Sequence, residues 1–138
     1  MSAQMNDRIK YKGSDYGLAA TPLENYFSDN PELRPKFAGF NSACRRGYVA
    51  RWEIIGEKLR LVGMDMVLQT DATFESLFPD AGEGVFADWV SGELPCHHGK
   101  YFRRNALDFS PVPEFTLTLE VENGVVKSTN DRKNEIPS

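Results

Sequence analysis

The stretch RRGYVARWEIIGEKLRLVGMDMVL, residues 45–68, has the strongest pattern in the chain and decides its fold class. From Gly47 onward, successive side chains fall on two alternating faces, and this period of two is that of a β-strand. The Gly-Glu pair at 56–57 interrupts the alternation, and a second alternating run follows from Leu59. The pattern predicts a β-hairpin that turns the face carrying Trp52 toward a core.

Length and composition set the class of protein. The chain has 138 residues, of which 41% are hydrophobic and 26% charged, and this favours one folded domain. No apolar run approaches the roughly 20 residues that cross a bilayer, and the start, MSAQMNDRIKYKG, lacks the apolar core of a signal peptide. We therefore expect a cytoplasmic protein. A net charge of -4 gives no global attraction to nucleic acid or to anionic lipid.

Two further hairpins are predicted near the ends of the chain. Near the start, RIKYKGSDYGL alternates and breaks at residues 13–15. Near the end, FTLTLEVENGVV places Asn123 and Gly124, a pair typical of tight hairpin turns, between two apolar runs. The last segment, TNDRKNEIPS, is polar. We predict one β-rich domain over residues 1–128 and a frayed polar tail over residues 129–138.

Two short helices are also predicted. One begins at Pro22 and runs to about Asp29, and its start, TPLE, supplies an N-cap threonine, a first-turn proline and a capping-box acid. The other lies in TDATFESLFPD, residues 70–80, where the first two residues are the candidate caps. Prolines predict a loop over residues 30–44 with at most one helical turn.

The segment GVFADWVSGEL, residues 84–94, alternates with apolar residues on both faces and predicts a central strand. Such a strand would place Asp88 between apolar neighbours, where a carboxylate must be paired or hydrogen-bonded. Together these elements predict an α+β fold, a single compact domain with a mainly antiparallel sheet of about five to seven strands and two short helices. The predicted core residues are Trp52, Ile54, Leu61, Leu77, Phe78, Phe86, Trp89, Leu117 and Leu119.

Motifs for cofactor chemistry are missing from the sequence. It contains no P-loop, dinucleotide fingerprint, GxSxG, HExxH or CxxC, and we predict no cofactor. Cys96, His97 and His98 are adjacent, but neighbouring side chains of a strand point to opposite faces and no second Cys/His group exists, so we predict no metal site. A nucleophilic pair of Cys44 with either histidine stays open, although buried and inert cysteines are commoner.

Three arginines, Arg45, Arg46 and Arg51, lie within seven residues and beside two aromatic residues. The planar guanidinium suits recognition of a carboxylate or a phosphate. Our interpretation is that these arginines, with Asp88 and Glu93, form a charged binding cluster near one end of the sheet that contacts a partner or a ligand. The competing interpretations are a solvated sheet face and a structural salt bridge.

Several phrases resemble a family of small uncharacterised bacterial proteins that share an RGYVAxWEI-type hairpin and a DWxSGEL-type strand. The matching phrases are PLENYF, RRGYVARWEI, LRLV, VFADWVSGEL and LEVENGVV. The resemblance covers roughly Tyr11 to Val126. It implies a bacterial or mobile-element origin and a single compact domain, and it carries no activity that could be transferred.

Three functions fit these observations. The first is a non-catalytic protein-interaction module, such as a toxin-neutralising immunity protein or a defence-associated protein, because the chain is small, acidic and without cofactor motifs. The second is a β-rich domain that binds a small ligand with Trp52, Trp89 and Arg51. The third is a cofactor-independent enzyme that uses Asp88, Glu93 and a histidine. We expect a protein partner rather than a nucleic acid or a membrane.

Overall fold

The computed structural model describes residues 4–102 and 111–135, which form eight strands, two α-helices and a 3-10 helix. The elements are β1 Asp7–Tyr11, β2 Ser14–Leu18, α1 Pro22–Asp29, the 3-10 helix Pro31–Leu33, β3 Tyr48–Ile55, β4 Lys58–Met66, α2 Phe74–Leu77, β5 Val85–Phe86, β6 Gly92–Phe102, β7 Val112–Glu122 and β8 Val125–Lys133. The predicted α+β class with two short helices is confirmed, although the strands outnumber the five to seven expected. In the described ranges, no helix is long and apolar enough to cross a membrane.

The eight strands form one sheet in the order β3-β1-β2-β6-β7-β8-β4-β5. All of these neighbours pair antiparallel except β1 and β3, which run parallel. Strand β3 also pairs with β4. The series of paired strands that starts at β3 therefore closes on β3 again through β4. The contact between β4 and β8 is limited to the register pair Lys58–Val125. The sheet therefore curves round one core.

The core lies on the inner face of this curved sheet, and α1 packs Leu23 and Phe27 against it. The predicted face of β3 is confirmed, because Tyr48, Ala50 and Trp52 are all buried. The other predicted core residues divide into a buried group (Leu61, Phe78, Leu117 and Leu119) and a half-buried group that packs against the core (Ile54, Leu77 and Trp89). Phe86 is half-buried and is not part of the core cluster. The predicted register of the sheet is therefore right.

All three predicted hairpins are present, as β1–β2, β3–β4 and β7–β8. The last turn uses Asn123 and Gly124 with φ of 48° and 81°, as its sequence predicts. Helix α1 has the predicted bounds, but Thr21 makes no side-chain cap. The predicted capping box is wrong because the Glu24 carboxylate accepts hydrogen bonds from Tyr48 and Arg34 instead.

Helix α2 begins later than predicted. Its N-cap is Thr73, and the candidate caps Thr70 and Asp71 precede it. Thr73 and Ser76 form a reciprocal capping box, in which serine takes the place usually held by glutamate or glutamine. The prediction chose the wrong threonine because the usual acidic partner is missing at the true start.

The predicted central strand over residues 84–94 is wrong. Strand β5 stops at Phe86, the chain turns, and β6 begins at Gly92 with φ of 117°. The Trp89 indole donates a hydrogen bond to the Pro22 carbonyl at 2.9 Å and packs on the ring of Tyr26 in α1. Asp88 is exposed rather than enclosed. The alternation of apolar residues in this segment comes from a turn that packs over the core.

The predicted boundary at residue 128 is also wrong, because β8 continues through Lys133. Residues 129–133 pair with β7, and beyond them the Asn134 amide donates hydrogen bonds to the Pro113 carbonyl and the Thr116 hydroxyl. These strand residues are all exposed, so they carry no apolar alternation that would have predicted a strand. The end of the predicted tail, residues 136–138, lies outside the described residues.

Candidate functional site

The three arginines of the predicted cluster have different roles. Arg46 is buried, and its Nη2 donates a hydrogen bond to Asp7 Oδ1 at 2.7 Å. Asp7 is fully buried on β1 and also accepts from the Ala50 backbone N–H and the Trp52 indole at 3.0 and 3.2 Å. Burial raises the pKa of the Asp7 carboxyl, and the charge of Arg46 opposes this rise. Arg46 therefore belongs to a structural ion pair.

A chain of polar contacts extends from this pair. The Arg46 guanidinium lies 5.5 Å from the centre of the Tyr48 ring. The Tyr48 hydroxyl donates to Glu24 Oε2 at 2.6 Å, and Glu24 in turn pairs with Arg34 at 3.1 Å. Burial raises the pKa of Tyr48, so its hydroxyl stays protonated and remains a donor. The network therefore ties down both ends of the segment 34–46. Arg34 pairs with α1 at one end, and Arg46 pairs with β1 at the other.

The remaining members of the predicted cluster lie apart. Arg51 pairs with Asp65 across β3 and β4 at 3.2 Å, with side chains 50% and 61% exposed. Asp88 and Glu93 are exposed, and among the ion pairs of the described residues none joins either of them to an arginine. The predicted five-residue cluster is therefore not formed. One of its members, Arg45, lies in the site described below.

The cysteines and histidines do not converge on one point. Cys96 is buried in the core, and burial raises the pKa of its thiol to about 12. His97 lies next to Tyr101, with Nδ1 3.4 Å from the tyrosine hydroxyl, and burial lowers the pKa of His97. In the described ranges no group of three or more His, Cys, Asp or Glu side chains is placed to hold a metal. Cys44, buried elsewhere, donates to a backbone carbonyl.

His98 forms the one histidine–carboxylate pair among the described residues. Its Nε2 lies 3.0 Å from Asp131 Oδ1, and its ring stacks on Phe115 and meets the edge of Tyr16. The carboxylate that lies beside a histidine is therefore Asp131, and not Asp88 or Glu93, which the enzyme hypothesis had named. The sequence did not reveal this pair because the two residues lie 33 positions apart on strands separated by β7.

A different site stands out on the surface. We define the Phe40 loop as residues 34–47, RPKFAGFNSACRRG, which connect the 3-10 helix to β3. Phe40 is 74% exposed, more than any other large apolar side chain in the described ranges. Arg45, in the same loop, is also exposed. The loop thus presents an aromatic ring and a guanidinium group to solvent.

Hydrogen bonds restrain much of this loop. Within the loop, the Ala43 N–H donates to Asn41 Oδ1 at 2.8 Å. From outside, the Gln4 amide donates to the Ser42 carbonyl and accepts from the Arg45 N–H, at 2.8 and 2.9 Å. The Met5 backbone N–H also donates a hydrogen bond to the Ala43 carbonyl, at 2.7 Å. These hydrogen bonds restrain the backbone of the loop immediately after Phe40.

The first part of the Phe40 loop lines one side of a groove of about 330 Å³. Its first wall is residues 36–38, where the Phe37 ring stacks on Tyr48 with centroids 6.4 Å apart. The second wall is residues 69–71, and a backbone bond from the Ala38 N–H to the Gln69 carbonyl joins the two walls at 2.8 Å. The groove is open and mixed in polarity, and residues 36–38 of the Phe40 loop contribute one of its walls.

Comparison with family models, with curated proteins and with solved structures finds no match to this chain. The site must therefore be interpreted from its own geometry. Sequence reasoning missed Phe40 because the proline- and glycine-containing segment around it has no regular alternation of apolar residues that would mark one position. One signal was available: the segment 34–47 carries four basic residues and no acidic one in an acidic chain.

Proposed function

We propose that this protein is a non-catalytic protein-interaction module that binds its partner through the Phe40 loop. The observation that carries the proposal is the exposure of Phe40, 74%, on a loop whose backbone is hydrogen-bonded on both sides of it, at Ala38 and at residues 41–45. Covering a phenylalanine side chain contributes roughly 1.5–3 kcal/mol. A fixed loop loses little conformational entropy on binding, so most of that energy would appear as affinity.

Single exposed apolar side chains are common on protein surfaces and do not by themselves indicate a binding site. Here the ring, the exposed Arg45 and the groove beside residues 36–38 occur in one short loop. Aromatic and arginine side chains are enriched among the residues that dominate interface energies. The combination favours a protein-binding surface over an incidental exposed ring.

The biological form that we propose is a toxin-neutralising immunity protein or a defence-associated protein of bacterial or mobile-element origin, acting in the cytoplasm. A small acidic domain with one preorganised loop suits this role, because a neutralising protein can act by inserting a rigid element into its target's cleft. In this proposal Phe40 is the inserted element. The small-ligand hypothesis, which named Trp52, Trp89 and Arg51, is better supported by a different pocket of about 210 Å³, which Arg51 and Trp52 line.

The His98–Asp131 pair favours a second candidate function, general base catalysis. A carboxylate that holds an imidazole at 3.0 Å is the arrangement that orients a catalytic histidine. Phe115 and Tyr16 fix the ring further, and the side chain of His98 is 27% exposed. This candidate would use Asp131 in place of Asp88 and Glu93. A His98→Gln variant that retains full biological activity would eliminate it.

The proposal is tested by photo-crosslinking in cells of the source organism. The photoreactive residue p-benzoylphenylalanine replaces Phe40 in one variant and Ile55, 38% exposed on β3, in a control variant. We expect one dominant crosslinked protein from position 40, identified by mass spectrometry, and none from position 55. The same adducts from both positions, or none from position 40, would contradict a binding role for the Phe40 loop.

A further inference from the structure

We infer that the partner's binding surface is an apolar pocket for Phe40 rimmed by carboxylates. This inference rests on the proposed function and adds the chemistry of the partner. It comes from the charges of the Phe40 loop, which are opposite in sign to the net charge of the whole chain, -4.

The charge that the Phe40 loop offers to a partner can be located residue by residue. Of its four basic residues, Arg34 pairs with Glu24 and Arg46 pairs with Asp7. Lys36 and Arg45 are both exposed, and no ion pair within the described residues neutralises either of them. Two uncompensated cations therefore lie in the same loop as Phe40, one before it in the chain and one after it.

The surroundings of these cations differ. The backbone of Arg45 is fixed by the Gln4 amide at 2.9 Å, and Lys36 is part of the groove wall. Asp71 lines the same groove and would repel a carboxylate there. Arg45 is therefore the stronger of the two carboxylate contacts, and its planar fork favours a bidentate carboxylate.

A second copy of this chain is a poor occupant for the loop. Contact between the loop and an acidic surface elsewhere on another copy would be heterologous, and such contacts generate rings or open filaments rather than a closed dimer. A nucleic acid is also less suitable, because the two unpaired cations of the Phe40 loop provide few phosphate contacts and the chain as a whole is acidic. The observations favour a separate acidic protein.

The inference is tested with a phage-displayed library of random peptides, selected on the full-length protein and depleted on the Phe40→Ser variant. We expect the enriched peptides to combine an apolar residue with two or more Asp or Glu residues. A synthetic peptide from this set should bind at least tenfold more weakly to Phe40→Ser and to Arg45→Glu. Its affinity for the control variant Ile55→Ser, altered at an exposed site outside the loop, should be unchanged.

Exchanging the charges of the peptide and of Arg45 tests whether Arg45 itself contacts a carboxylate. A peptide in which one Glu is replaced by Lys should lose affinity for the natural protein and regain it with Arg45→Glu. Enriched peptides that are neutral or basic, or a labelled single-stranded oligonucleotide that binds more tightly than any peptide, would overturn the inference. Photo-crosslinking at position 40 to a protein without acidic residues at the crosslink would overturn it too, while leaving the proposed function intact. An acidic peptide that binds Phe40→Ser as tightly as it binds the natural protein would also count against the inference.

Discussion

Arg46 Nη2 lies 2.7 Å from Asp7 Oδ1, with side chains 6% and 0% exposed, and this contact fastens the end of the Phe40 loop to strand β1. Asp7 is in turn held by the Ala50 N–H and the Trp52 indole of β3. The pair thus fixes the point at which the loop enters the sheet. One of the arginines expected to bind a partner instead supports the loop that we propose to bind one.

Replacing Asp7 by Ala should strongly destabilise the fold, because it leaves the buried guanidinium of Arg46 without a counter-charge. The expected loss is about 3–5 kcal/mol in the free energy of unfolding, measured from urea midpoints. The double variant Asp7→Leu, Arg46→Met should recover part of this loss because neither charge remains. Asp15→Ala, at an exposed carboxylate of β2, is the control. A midpoint shift in Asp7→Ala as small as that of the control would contradict a structural pair.

Replacing Arg51 or Asp88 by Ala should change stability little. The Arg51–Asp65 pair is at least half exposed, and such pairs contribute about 0–1 kcal/mol. Asp88 is exposed, so its loss should cost less than about 0.5 kcal/mol. Urea denaturation of both variants beside Asp7→Ala is the measurement. A loss in either variant as large as that of Asp7→Ala would contradict the exposed, weakly paired state of these two side chains.

Gly47 and Gly39 provide a matched test of how tightly the Phe40 loop is built. Both have positive φ, 86° and 85°, but a Cβ on Gly47 would lie 2.8 Å from the Phe37 ring, whereas one on Gly39 would meet nothing within 4 Å. Each substitution by Ala carries the backbone cost of this conformation, roughly 1–3 kcal/mol. Gly47→Ala should be the more destabilising, because Phe37 must also move. Equal urea midpoints for the two variants would contradict the close packing of Phe37 on Gly47.

The parts of the fold that sequence predicted correctly are those with local signals. The β3–β4 hairpin follows from alternation, and the β7–β8 turn follows from Asn123-Gly124, whose positive φ few other residue pairs accept. The errors arose where tertiary contacts, and not the local sequence, determine the secondary structure. Residues 84–94 alternate as a strand would, yet Trp89 is held by the carbonyl of Pro22, 67 positions away. Residues 129–133 are a strand because β7 supplies their partners, not because their own residues favour one.

The candidate site was less predictable than the fold. The sequence places three arginines close together but does not show which acid each one pairs with. Arg46 pairs with Asp7, 39 positions away, and Arg51 pairs with Asp65 on the next strand. Arg45 alone of the three was left to solvent with its charge unpaired among the described residues. Which cation stays free depends on long-range pairing, and residue type does not reveal it.

The pH dependence of stability should report the environment of His97. Burial lowers the pKa of His97 below its usual 6.5, so the unfolded chain binds a proton more readily than the folded protein does. This histidine therefore contributes stability above pH 6.5, and that contribution is lost as the pH falls through 6.5 toward the lowered pKa of the folded state. Urea midpoints should decline less on acidification in His97→Gln than in the natural protein. NMR titration of the imidazole Cε1–H, assigned by comparison with His98→Gln, should give a midpoint below 6.5 for His97. A midpoint at or above that value, or a pH profile unchanged in His97→Gln, would contradict burial as the dominant influence on this ring.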